Sequence, residues 1–152
     1  MDFALFLIFL AATGAAAATG TLFPPGEWYA ALTKPWFTPP SIAFPIVWTT
    51  LYVLMSVAAA RVAPMQGAQY AMALWALQIA LNTLWTPVFF GLNRMVPGLI
   101  IIGILWVVIA AMIVAFWRLD RLAGALLLPY LGWVTVAASL TIGLIRLNPE
   151  MR

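Results

Sequence analysis

A chain of 152 residues with 66% apolar and 7% charged side chains is not a water-soluble domain, because soluble domains carry about 25% charged residues. It has no Cys and no His; a disulfide framework, a thiolate metal site, histidine ligation of haem iron and the commonest general base are therefore excluded. The net charge of +3 is too small and too scattered to bind nucleic acid, and the length suits one compact bundle without a second soluble domain.

The charged residues mark off the elements. No charge lies between Asp2 and Glu27, Lys34 and Arg61, Arg61 and Arg94, Arg94 and Arg118, or Arg121 and Arg146. A transmembrane helix needs about 20 apolar residues, so these gaps predict spans over roughly 3–23, 41–61, 69–90, 96–117 and 122–145. The expected class is an all-α integral membrane protein, a single five-helix transmembrane domain covering residues 1–152. The first segment is longer than a signal-peptide core, follows Asp2 and lacks a basic flank, and so reads as a retained helix. Between the second and third spans, Val62 to Ala68 contains Pro64 and Gly67 and reads as a loop. Lys34, Arg94, Arg146 and Arg152 fall on one side and Arg61, Arg118 and Arg121 on the other, a balance that gives no orientation.

The first connection, 24–40, is the unusual one. It holds five of the eleven prolines together with Trp28, Tyr29, Trp36 and Phe37. Proline fixes φ and lowers the entropy lost on ordering, so this loop is built to hold a shape. Two readings stand side by side: a lid over a pocket, with Trp36 packing on what lies beneath, or an aromatic anchor at the membrane interface.

Within the spans, polar and aromatic residues fall on shared faces at helical spacing. They are Trp75, Gln78, Asn82, Trp85 and Thr86 on the third span, Pro45, Trp48, Tyr52 and Ser56 on the second, and Tyr130, Trp133, Ala137 and Thr141 on the fifth. An amide in hydrocarbon is costly without a partner, so Gln78 and Asn82 are expected to face inward. Interhelical hydrogen bonding explains such stripes; so does an aromatic-walled ligand pocket with a few polar groups, in which Asn82 makes the main polar contact. The face of Ala73, Ala76 and Ala80, and the small residues Gly14, Ala16, Ala18 and Gly20 of the first span, favour close helix association. All acids and bases are expected at the water interface. No charged residue marks an ion or proton path, and no base sits beside a nucleophile. No catalytic or metal-binding residue is predicted.

The run Trp28-Tyr29-x-x-Leu32-x-Lys34-Pro35-Trp36-x-x-Pro39-Pro40, followed by Phe44-Pro45-x-x-Trp48-x-x-Leu51-Tyr52, resembles the translocator protein family, whose bacterial members are the tryptophan-rich sensory proteins. Asn82-Thr83-Leu84-Trp85-Thr86-Pro87-x-Phe89-Phe90-Gly91 and Pro129-Tyr130-x-x-Trp133 add matches in the same order. The resemblance implies a five-helix bundle that binds porphyrins, isoquinoline- and benzodiazepine-type drugs and, in mammals, cholesterol. It places the pocket beneath the first loop, at Tyr29, Pro39, Trp48, Tyr52, Asn82, Trp85, Tyr130, Trp133, Ala137 and Leu140, and it implies a homodimer through the third span. Lys34 is then available to a propionate, and protoporphyrin IX fits at least as well as haem; no cofactor is required. Two departures stand out. Thr141 occupies a position where the family usually has Asn. Ile142, four residues before Arg146, replaces the Tyr of the mammalian sterol segment, so a sterol partner is weakly supported. The expected function is a porphyrin- and drug-binding regulatory protein of a bacterial membrane; a porphyrin or lipid transporter and a porphyrin-degrading enzyme are the alternatives.

Overall fold

The computed structural model of the chain describes residues 1–152. Five helical segments are long and apolar enough to cross a membrane. The first is α1 (Phe3–Leu22), which Asp2 caps by accepting hydrogen bonds from the amides of Ala4 (2.9 Å) and Leu5 (3.3 Å). The short α2 (Glu27–Ala31) lies inside the first connection, with Glu27 in its first turn, where a negative charge suits the helix dipole. The second span is α3 (Ala43–Val62). The third comprises α4 (Gln69–Thr86) and a π-turn (Pro87–Gly91). The fourth is α5 (Met95–Leu119), and the fifth comprises α6 (Arg121–Leu126) and α7 (Leu128–Leu147).

The spans start and stop within two residues of the expected positions, with two internal differences that proline explains. Pro129 has no N–H to donate to the previous turn and its ring crowds the carbonyl four residues back. The fifth span therefore breaks at Leu127, and α7 restarts with Pro129 in its first turn. Pro87 interrupts the third span in the same way, and the chain recovers by widening: the Leu92 amide donates to Pro87 O at 2.9 Å.

The bundle is a ring. α1 packs on α3 and α4, α4 on α5, and α5 on α6 and α7, while α6 turns back onto the end of α3. Large apolar side chains such as Phe3, Ile8, Ile100 and Val107 point outward, as expected where the surroundings are lipid tails. The half of the ring away from the first loop is solid. Ala58 and Ala59 let the helices approach, and Met55, Trp75, Ile109, Met112 and Phe116 fill the space between them. Trp75 donates its indole N–H to Met55 O (3.2 Å), and the Thr13 and Ser56 hydroxyls meet at 3.4 Å. The other half is hollow.

On the solid side, Arg61 at the end of α3 reaches Asp120 in the turn between α5 and α6 (2.6 Å). Asp120 also caps α6 by accepting from the Leu122 amide (3.1 Å). The hydrogen bond from Arg61 is the main reason that the Asp120 carboxyl is held below the usual carboxylate range. A lowered carboxylate pKa contributes stability that is present above the unfolded value of about 3.9 and is lost as pH falls through the folded value. Asp120→Ala should therefore lower the thermal midpoint in detergent at pH 7, with loss of the cap alone worth about 0.5–2 kcal/mol, and the gap between variant and parent should close on acidification below about pH 3.9. A gap independent of pH would show that the charge of Asp120 contributes nothing.

Candidate functional site

The hollow half encloses a cavity of about 620 Å³, within the usual range of about 300–1,000 Å³ for small-molecule sites. α3 contributes Phe44, Trp48 and Tyr52, α4 contributes Asn82 and Trp85, and α7 contributes Trp133 and Ala137. Ala16 and Gly20 of α1 and Ile102 and Leu105 of α5 complete the walls, and Phe90 of the π-turn closes a corner. Trp48 stacks on Tyr52 (5.5 Å) and Trp85 on Phe89 (4.9 Å), while Trp133 stands edge-on to Phe44 (5.5 Å). Eight of the 25 lining residues are thus aromatic, and they give the cavity its flat walls.

The floor is a hydrogen-bond chain. The Tyr52 hydroxyl donates to Asn82 Oδ1 (3.0 Å), Asn82 Nδ2 donates to the Tyr130 hydroxyl (2.9 Å), and that hydroxyl donates to Gln78 Oε1 (2.7 Å). Gln78 is fully buried, and its Nε2 has no partner. Asn82, expected to present its amide to a ligand, lines the cavity and also meets a tyrosine at each end of that amide. The Tyr52 hydroxyl, which donates inward, keeps its lone pairs for a donor in the cavity.

The roof is the first connection. Its residues Pro25, Tyr29, Lys34, Thr38 and Pro39 line the cavity. The loop is fastened at several points. Asn148 accepts from the Thr33 amide and donates to Thr33 O, both at 2.9 Å. Leu32 is buried in a cluster with Phe89, Met95 and Leu144. Pro35 lies against α7 at Gly143, where a Cβ would come within 2.5 Å of the proline ring. Lys34 Nζ donates to Tyr29 O (3.0 Å) and Leu32 O (3.4 Å) and stands 4.7 Å from the centre of the Tyr29 ring. Burial pushes the Tyr29 hydroxyl above its ordinary value, so the roof keeps a neutral phenol.

Of the residues singled out in the sequence, Tyr29, Lys34, Pro39, Trp48, Tyr52, Asn82, Trp85, Trp133 and Ala137 come together around this space. Tyr130 and Leu140 are buried and do not line the cavity; Tyr130 supports it from behind, through its bond with Asn82 and its edge-on contact with Trp48 (6.2 Å). Trp36 does not belong to the group. It is 94% exposed and packs edge-on against Phe37 (5.6 Å). The reason is local: the Thr38 amide and hydroxyl both donate to Pro35 O (3.1 and 2.7 Å), which closes a turn with Trp36 and Phe37 on its outer corner. Thr141, at the position of the usual family Asn, donates to Ala137 O within its own helix (2.8 Å) and offers the cavity nothing. Sequence reasoning missed Asn148 and the α1 lining. The small residues of α1 signal close packing, and a lone Asn after the last span gives no sign of reaching back 115 positions.

Five spans around an aromatic-lined cavity with a pinned loop as its roof define a multi-pass integral membrane protein that is hollow inside the bundle. The comparisons narrow the class. The TspO/MBR family model matches residues 4–147. The chain is 53% identical to the tryptophan-rich sensory protein of Cereibacter sphaeroides over 100% of its own length and 98% of the relative's. It is 46% identical to protein CrtK of Rhodobacter capsulatus over 98% and 96% of the two chains, and 36% identical to the human translocator protein over 80% and 76%. The chain belongs to the TspO/MBR family of sensory and translocator membrane proteins.

The floor gives a direct test. Tyr130→Phe removes a hydroxyl that serves both Asn82 and Gln78 without opening the cavity wall. Interhelical hydrogen bonds in membranes average about 0.6 kcal/mol, so the loss of two should lower stability by about 1 kcal/mol, read as an earlier midpoint in denaturation by SDS. An unchanged midpoint would mean that the chain does not hold the helices together.

Proposed function

We propose that the cavity binds a tetrapyrrole such as protoporphyrin IX, or a flat drug of the isoquinoline or benzodiazepine type, and that the protein acts as a regulatory receptor in a bacterial membrane. The observation that carries this reading is the shape and chemistry of the hollow: aromatic planes on three helices and few polar groups, under an ordered roof. Its polar lining consists of hydroxyls, one amide and one ammonium, which suits orientation of a ligand better than proton transfer. Lys34 has three donors and places two of them on backbone carbonyls, which leaves one for a propionate at the rim. The bacterial relatives named above support the choice of membrane.

Protoporphyrin IX should quench tryptophan fluorescence of the purified protein saturably and with one-to-one stoichiometry. Lys34→Gln should weaken protoporphyrin by roughly ten-fold, about 1.4 kcal/mol, and spare a neutral isoquinoline carboxamide. Trp36→Ala should leave both affinities unchanged, because that ring faces outward. Equal losses for both ligands in Lys34→Gln would remove the propionate role; no saturable quenching would overturn the reading.

We also propose a homodimer through the third span. Ala73, Ala76 and Ala80 lie exposed on the outer face of α4, and small residues of this kind favour close helix association. Ala76→Leu should shift the detergent-solubilised protein from dimer towards monomer in light scattering. A dimer that survives the substitution places the contact elsewhere.

A further inference from the structure

The ring of helices is closed everywhere except between α3 and α7. These two pack on common neighbours, and α6 meets the far end of α3, but α3 and α7 are not among the closely packed pairs. Between them, on the outer surface, runs a second hollow of about 370 Å³. Ile46, Val47, Thr50, Leu51 and Leu54 form one bank, and Pro129, Gly132, Trp133 and Val136 form the other. The hydroxyl in this lining, that of Thr50, is spent on Ile46 O of its own helix (2.9 Å), so the groove presents mainly apolar surface. Both banks lie within membrane-spanning segments, so what fills the groove in place is the hydrocarbon of the bilayer.

One residue belongs to both hollows: Trp133 lines the groove and also the ligand cavity. Its indole leans edge-on against Phe44 at the mouth of the cavity (5.5 Å, 70°). A rotation of this one side chain would join the two spaces without moving a helix. Above, the cavity is roofed by a loop fastened through Asn148, Leu32 and Pro35. A route through the roof would break several of those contacts, whereas the lateral route moves one aromatic ring.

We propose that the cleft between α3 and α7 is a lateral portal, gated by Trp133, through which a flat uncharged molecule dissolved in the acyl chains passes into the cavity. The proposal rests on the cavity being a ligand site, and it adds the route and the physical state from which the ligand arrives. A gate differs from a binding contact in kinetics: narrowing the passage raises one barrier for both directions, so association and dissociation slow together and the equilibrium affinity stays put.

Gly132 allows a clean test. It lies on the groove side, and a Cβ added there meets nothing within 4 Å. Leucine also favours a helix over glycine, so Gly132→Leu narrows the groove at no cost to the helix backbone. Gly103 of α5 is likewise open, with nothing within 4 Å of an added Cβ, and lines neither hollow; Gly103→Leu is the control. Thr50→Phe narrows the groove from the opposite bank and covers the case in which Gly132→Leu fails to fold. The probe is a neutral isoquinoline carboxamide bound to protein in lipid vesicles. In Gly132→Leu and Thr50→Phe both rate constants should fall by roughly ten-fold, as an added barrier of about 1.4 kcal/mol dictates, with an unchanged Kd; Gly103→Leu should match the parent. Unchanged rates in both groove variants, or a rise in dissociation alone, would overturn the portal while leaving the cavity as the binding site. A parent that does not bind the probe would overturn both readings together.

Discussion

Two amides lie inside a membrane protein, and the hydrogen-bond chain that joins them to two tyrosines sets the form of the whole molecule. In hydrocarbon, polar groups must find partners within the protein. Asn82 and the side-chain carbonyl of Gln78 find theirs in Tyr52 and Tyr130, which ties the second, third and fifth spans together at a single depth. On one side of this level, Ala58, Ala59 and Ala71 with Met55 and Met112 allow dense packing. On the other, Trp48, Trp85 and Trp133 stand between the helices and hold them apart. The cavity is the space that results, and its floor is the chain itself.

The roof depends on the opposite kind of constraint. Proline stiffens the first loop, but stiffness alone does not place it over the bundle. Asn148, from beyond the last span, grips Thr33 on both its amide and its carbonyl, and Leu32 sinks beside Phe89 of the π-turn. That turn exists because Pro87 cannot continue the α-helical ladder. The widened turn is where Phe89 meets Trp28 (5.6 Å) and Phe90 meets Tyr29 (5.5 Å), so a helix defect and a loop helix lock together. Such π-turns recur at functional sites, and this one borders the cavity through Phe90.

The five spans were legible in the sequence because the bilayer imposes a length and excludes charge, and both are visible in a string of letters. The inward stripes were legible because helical periodicity carries a residue such as Asn82 to the same face as Trp75 and Trp85 whatever the neighbours do. What escaped depends on partners distant in sequence. Nothing local in Trp36 says that a turn closed by Thr38 throws it outward. Nothing local in Asn148 says that it pins a loop 115 positions away. The break at Leu127 was written in Pro129, yet the uncharged stretch around it masked the interruption. The small size of Gly20 and Ala16 signals close packing in the sequence, whereas beside the aromatic residues of α3 it leaves room in the cavity.

The central claim is that a flat ligand occupies the space between the tyrosine–amide floor and the pinned loop. Photolabelling with a neutral isoquinoline carboxamide carrying a diazirine, followed by peptide mapping, tests it most directly. Labels should fall on the Phe44–Tyr52 and Asn82–Phe90 segments and around Trp133, and excess unlabelled ligand should suppress them. Labels confined to outward residues such as Trp36, Ile100 or Val107, or labels that excess ligand leaves in place, would contradict the account.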